Sequence, residues 1–195
     1  MPRKNSLDKT AVVKAAAGLV NREGLDALTL SRLAQELGIQ TPSLYNHIDG
    51  MPGLLHAMAL LNVHRLAECL GAAAIGRAGA DGLKLVAEAY RTYIKENPGL
   101  YLSSLRASGS QAAPDPELQA GEDRVLQIVL AMLSSLGLSG EDAIHAARGL
   151  RSAVHGFTTL EIAGGFGLPL ELDESFARLI ALLLAGLASP RSNAS

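Results

Sequence analysis

The sequence predicts an all-α protein of about nine helices, and three observations carry that prediction. Hydrophobic residues make up 48% of the 195-residue chain while aromatic residues are 4% and Trp is absent, so the core must be built from Ala, Leu and Val. Apolar residues recur at helical spacing along most of the chain, with no strand-like alternation and no internal repeat. Between the periodic stretches stand stop glycines and cap-then-proline starts such as Leu37-Gly38, Thr41-Pro42 and Asn97-Pro98. The expected organisation is a three-helix unit at residues 7–50 and a larger helical domain at 51–189.

Residues 1–6 read as a polar arm with Arg3 and Lys4. A first helix from Leu7 to about Asn21 carries Val12, Ala16, Leu19 and Val20, leaves Lys9 and Lys14 to solvent, and stops at Arg22-Glu23-Gly24. Thr29 is a natural N-cap for a second helix, whose Leu30, Leu33, Ala34 and Leu37 form one stripe before Gly38 ends it. After Ile39 and Gln40, Thr41 can cap a third helix with Pro42 at its first position. Leu44 and Ile48 then point inward, while Ser43, Asn46 and His47 share a polar face. Two short helices joined by a glycine turn make a helix-turn-helix over 29–48, with the second as recognition helix. Unpaired N–H groups at its start suit phosphate, and its outward side chains can reach base edges. An ordinary helical hairpin has the same spacing.

Asp49-Gly50-Met51-Pro52-Gly53 reads as a turn, and Gly50 and Gly53 are the expected place of flexibility between head and body. A fourth helix from Pro52 to about Ile75 uses Leu54, Leu55, Met58, Leu61 and Leu66. After the break at Gly76–Asp81, Asp81 is the expected cap of a helix reaching Glu96. Asn97-Pro98 opens a shorter helix with Tyr101, Leu102 and Leu105, and 108–114 reads as loop. Asp115-Pro116 begins the seventh helix, with Leu118, Val125, Leu126, Val129 and Leu133 as its stripe and Gly137 as its stop. Ser139 and Asp142 resemble a capping box for the eighth, which holds Ile144, Ala147, Leu150, Val154 and Phe157 and reaches Ile162. Gly164–Gly167 breaks the chain, and Asp173 is the expected cap of a last helix with Phe176, Leu179, Ile180, Leu183, Leu184 and Leu187. Residues after Ser189 look frayed.

The net charge of −2 gives no hint of nucleic acid, but residues 1–50 hold six Lys and Arg against five Asp and Glu, and the remainder holds eleven against fourteen. That asymmetry is small and has the sign phosphate binding needs. Cys69 is the single cysteine, which fits a reducing interior, and no apolar run approaches the roughly 18 residues of a membrane span. With no signal-type h-region, the reading is a cytoplasmic protein without a membrane partner. No nucleophile, acid–base pair or metal constellation stands at recognisable spacing. His47, His56, His64, His145 and His155 are scattered, so neither an enzyme nor a metal or other cofactor is expected.

The segment from Thr29 through Leu33-Ala34, Leu37-Gly38, Pro42-Ser43-Leu44-Tyr45 and His47 resembles the DNA-binding domain of the TetR family of bacterial transcription regulators. The run Arg151-Ser152-Ala153-Val154-His155-Gly156-Phe157, with Gly164-Gly165-Phe166-Gly167-Leu168-Pro169, is similar to the WHG-type C-terminal domain of one branch, with Val154 where that name has Trp. The resemblance implies DNA contacts by Thr29, Gln40, Thr41, Pro42, Ser43, Tyr45, Asn46 and His47. Most relatives carry a phosphate-contacting lysine where this chain has Met51.

A helix-turn-helix protein reads two half-sites roughly 34–36 Å apart and so needs a self-complementary dimer surface. The last two helices are the candidates, because the eighth is rich in Ala and Gly and the ninth has more leucine than one narrow seam needs; in the family they pair as a four-helix bundle. The competing account has those leucines fill only the subunit's own core. The resemblance further implies a pocket for a small-molecule effector, with Tyr90, Tyr93, Tyr101, His145, Arg148 and His155 as candidate lining and a hydrophobic ligand suggested by composition. The expected function is a ligand-responsive repressor that binds a palindromic operator as a homodimer. The alternative is a helical adaptor that has lost DNA binding.

Overall fold

The computed structural model describes residues 7–110 and 115–188. The expected arm at 1–6, the loop at 111–114 and the frayed end after Ser189 lie outside the described residues. Those residues form nine α-helices and no strand: α1 (Lys9–Glu23), α2 (Leu30–Leu37), α3 (Thr41–Leu44), α4 (Gly50–Ala74), α5 (Gly79–Glu96), α6 (Pro98–Ser110), α7 (Pro116–Ser134), α8 (Gly140–Ile162) and α9 (Leu172–Ala188). A short 3₁₀ turn at Leu25–Ala27 precedes α2. Among the described residues no helix is long and apolar enough to cross a membrane.

The helices fall into two compact units. The first unit holds the described residues up to Arg65 together with those of Glu96–Gly121. Its core is built from Val12, Ala16, Leu19, Leu33, Leu44, Leu54, Met58 and Leu100, all essentially inaccessible to solvent. Helix α6 belongs here because it meets α1 backbone to backbone. A Cβ on Gly99 would stand 2.0 Å from the Val20 carbonyl oxygen, so no side chain fits at that crossing. Asn21 secures the contact, its Oδ1 accepting the Leu100 N–H at 2.9 Å and its Nδ2 reaching Asn97 Oδ1 at 3.5 Å. Asn62 on α4 donates to Ser104 Oγ on α6 at 2.8 Å within the same buried interior. Helix α7 starts where Asp115-Pro116 was read to begin it, and Asp115 caps it by accepting the N–H groups of Glu117 and Leu118.

The second unit holds Leu66–Lys95 and the described residues from Glu122 onward. Its interior is lined by Leu70, Leu83, Val86, Leu133, Val154, Phe176 and Ile180. Here α5 begins on a side-chain cap from the turn that follows α7, the Gly79 N–H donating to Ser135 Oγ at 2.7 Å.

Several helix starts differ from those expected. Gln40, not Thr41, takes the cap position of α3, so that Thr41 and Pro42 lie in the first turn. Helix α4 begins at Gly50, whose φ is 65°, and Gly53 is helical rather than part of a flexible turn; a Cβ there would lie 2.9 Å from Asp49 Cβ. Helix α5 begins at Gly79 and α9 at Leu172, which puts Asp81 and Asp173 inside first turns instead of at caps. Ser139 holds the cap position of α8 without a side-chain cap bond, so the expected capping box is not formed. Helix α6 continues through Ser110, beyond the expected loop boundary.

Gly99→Ala is expected to lower stability by about 1–3 kcal/mol or more, because Val20 backbone must move aside. Gly71→Ala, whose Cβ would meet Ile128 Cδ1 at an ordinary 3.7 Å, is expected to leave the melting temperature unchanged or raise it slightly. Thermal unfolding followed by circular dichroism checks both.

Candidate nucleic-acid interface

The reading head is assembled by two buried anchors. Leu33 and Ala34 of α2 face inward at 0% and 2% exposure, and Leu44 and Ile48 meet the same core at 0% and 5%. Between them Gly38 adopts the left-handed conformation at φ 67°, which glycine reaches without the Cβ clash of other residues. Thr29 caps α2, its Oγ1 accepting the Arg32 N–H at 3.0 Å. The α-helical pattern of α3 ends at Leu44. The next peptide N–H groups turn tighter, with Tyr45, Asn46 and His47 donating to Pro42, Ser43 and Leu44 carbonyls.

The sequence-predicted DNA-contact residues fall at the cap of α2 and along the segment 40–47. Thr29, Gln40, Pro42, Tyr45 and Asn46 are exposed, and Thr41, Ser43 and His47 are half-buried. Tyr45 stands out as a large ring at 60% exposure. The head's arginines are engaged nearby. Arg22 meets Glu36 at 2.6 Å, and Arg32 meets Glu23 at 2.6 Å and Glu36 at 3.3 Å, tying the end of α1 to α2. Lys9 and Lys14 are exposed on α1, while Met51 is half-buried against the core.

The family follows from the sequence matches. Residues 12–58 match the profile described as bacterial regulatory proteins of the tetR family, and residues 83–183 match that of the tetracyclin repressor-like C-terminal domain. The chain belongs to the TetR family of bacterial regulators. It is 36% identical to an uncharacterized HTH-type transcriptional regulator of Mycobacterium tuberculosis, over 95% of this chain and 84% of that one. It is 30% identical to the Bacillus subtilis HTH-type transcriptional regulator YobS, over 99% of both chains. The fold matches a TetR family transcriptional regulator of Thermus thermophilus with a TM-score of 0.68 at 23% identity, covering 89% of this chain and 97% of that one. This TetR-family member is therefore a DNA-binding transcription regulator with an N-terminal helix-turn-helix and a helical C-terminal domain.

The candidate effector residues do not converge on one described cavity. Tyr90 and Tyr93 on α5 are buried in the second unit, while Tyr101 on α6 is buried in the first. A cleft of about 270 Å³ lies among α5, α8 and α9, and of the six candidates only His145 lines it. Arg148 is exposed on α8. His155 is half-buried, and burial, with the nearby Arg151 charge, lowers its pKa below the usual histidine value.

A polar cluster that the sequence reading missed ties α5 to α8 and α9. Arg91 makes a bidentate pair with Glu161, both bonds 2.7 Å, and donates to Asp173 Oδ1 at 2.8 Å. Lys95 Nζ adds a bond to Glu161 Oε1 at 2.6 Å. The guanidinium also stands over the rings of Phe157 and Phe176 at 5.5 and 4.9 Å. The available signal was Arg91 standing next to Ala87, Tyr90 and Ile94 on the apolar face of α5.

Burial alone would raise the pKa of Glu161; hydrogen bonds and charge from Arg91 and Lys95 outweigh it and hold the carboxyl below its ordinary value. A folded pKa below the unfolded one gives stability that is present above about pH 4.3 and lost as pH falls from there through the folded value. Glu161→Gln is expected to lower stability at pH 7 by roughly 1–3 kcal/mol and to flatten the acid limb of the stability profile. Urea titrations at pH 7 and at stepped lower pH read both effects.

Proposed function

We propose that this regulator is a ligand-responsive repressor which binds a palindromic operator as a homodimer and is released by a small, uncharged, hydrophobic effector. The observation that carries the reading is the exposed set Gln40, Pro42, Tyr45 and Asn46 held beside the buried anchors Leu44 and Ile48. In this reading Thr29, Gln40, Thr41, Pro42, Ser43, Tyr45, Asn46 and His47 meet DNA, and α8 and α9 form the dimer surface. Residues 7–50 are the reader and 51–189 the sensing and dimerising part. Exposed Leu160 and Leu182 support pairing through the last two helices. The work of a DNA reader sets the compartment as the cytoplasm.

Binding of a small-molecule effector is supported by one solved structure. A solved TetR variant from Acinetobacter baumannii, in complex with minocycline, is similar to this chain with a TM-score of 0.68 at 25% identity, covering 92% of this chain and 96% of that one. Tyr90, Tyr93, Tyr101, His145, Arg148 and His155 remain the residues proposed to answer the ligand. A ligand acts only through a difference in its affinity for the DNA-bound and released states.

The alternative adaptor reading draws on Met51 and on the carboxylates that engage Arg22 and Arg32. Fluorescence anisotropy on a duplex recovered by selection from a random pool separates the two. Tyr45→Ala and His47→Ala are each expected to weaken binding roughly tenfold, the scale of one good contact, with unchanged circular dichroism. Recovery of no preferred duplex would favour the adaptor. Met51→Lys is expected to tighten binding and steepen the log–log salt dependence by about 0.9.

A further inference from the structure

Between Gly38 and Ile48 the sequence holds no Lys, Arg, Asp or Glu. Arg32 is the one Lys or Arg in the whole stretch 29–48, and it is engaged by Glu23 at 2.6 Å and by Glu36 at 3.3 Å. Apart from Glu36, which also holds Arg22, the exposed side chains of α2 are Ser31 and Gln35. The segment instead offers two carboxamides to solvent, Gln40 and Asn46, with exposed Pro42 and Tyr45 between them in sequence. Gln40 takes the cap position of α3 without a side-chain cap bond, and neither amide is bonded to any other of the described residues. Thr41, Ser43 and His47 are half-buried beside them.

The chemistry of the major groove turns this set of side chains into a preference. A G·C pair presents guanine N7 and O6, two acceptors matched together by Arg or Lys, and cytosine N4, a donor that suits Asp or Glu. The segment has none of the four. A carboxamide carries an acceptor oxygen and a donor nitrogen, which match adenine, whose N7 accepts and whose N6 donates. Against guanine the amide oxygen would face an acceptor and one of the two bonds would be lost. The hydroxyls of Thr41, Ser43 and Tyr45 bond to either pair, and a neutral imidazole has a single donor, so none of these side chains selects guanine. Pro42 and the Tyr45 ring present carbon, which makes apolar contact with a thymine methyl.

We infer that the segment 40–47 selects A·T pairs in the major groove, with Asn46 and Gln40 as the specificity-determining side chains, each bonded to the N6 and N7 edge of an adenine. The inference rests on the recognition segment proposed above and names the base pairs that it reads. Selection from a random duplex pool with the full chain, followed by fluorescence anisotropy on single-pair variants of the recovered site, tests it. Half-sites recovered by the unsubstituted chain are expected to hold A·T at the pairs read, with G·C at either weakening binding roughly tenfold. Asn46→Ala is expected to lose that discrimination at one pair in each half-site and Gln40→Ala at another, with circular dichroism unchanged. An adenine analogue with carbon in place of N7, placed at the Asn46-dependent pair, is expected to weaken the unsubstituted chain and leave Asn46→Ala unaffected. That pattern belongs to direct contact and not to a preference for DNA shape. Asn46→Arg is expected to move the preference at the same pair to G·C, and retention of A·T would count against direct reading. A G·C pair at the Asn46-dependent position of the selected site would overturn the inference. So would an equal loss of affinity for all duplexes in both alanine variants, which is the behaviour of phosphate contacts. Recovery of no preferred duplex would overturn the recognition segment itself.

Discussion

Leu44 and Ile48 hold a helix of only four residues in place, and the reading surface depends on that anchorage. So short a helix has almost no stability of its own, because nucleation orders several residues for one or two hydrogen bonds. Burying two large aliphatic side chains against α1, α2 and α4 supplies about 1.5–3 kcal/mol each. The glycine turn at Gly38 sets where the second helix starts, and the anchors set how it is rotated. Tyr45 and Asn46 then point to solvent as a geometric consequence. The head's charge pattern adds little positive potential, because Arg22 and Arg32 lie against carboxylates and Met51 is part of the apolar packing.

Two different devices stabilise the two units. In the first, α6 reaches α1 through a missing side chain at Gly99 and a shared asparagine at Asn21, so a residue of the α6 turn is part of the head's own packing. In the second, Arg91 gathers Glu161, Asp173 and two phenylalanine rings from α8 and α9. A buried guanidinium is tolerated only when its donors are satisfied, and this one is satisfied by carboxylates from both helices. Removing one partner would leave a charge in a poorly solvated place, which makes the cluster a device for fixing α8 and α9 relative to α5.

Most of the helix pattern was legible because helical periodicity and glycine stops are local signals. Thr29 acts as a cap where the sequence put it, α7 starts at the Asp115-Pro116 pair, and Gly38 ends α2 as its position implied. Asp81 and Asp173 mislead for a physical reason: a carboxylate is favourable anywhere in a helix's first turn, so its presence does not fix which residue is the cap. The Asp173 side chain has a tertiary partner, Arg91, from a helix far away in sequence. Gly53 reads as turn because glycine disfavours helix, yet the nearby Asp49 Cβ explains why a small residue is needed there. The exposure of Tyr45 and Asn46 beside buried Leu44 and Ile48 was legible through polarity and motif. The Arg91 cluster and the cleft were not, because both are made by contacts between helices that no local pattern encodes.

The direct test of the account is hydroxyl-radical footprinting on a selected duplex, combined with the stoichiometry of the complex. Two protein chains per site and two symmetric protected patches, centred about one duplex turn or a small multiple of it apart, are expected of a dimeric reader. A single protected patch bound by one chain, or protection without two-fold symmetry, would contradict it.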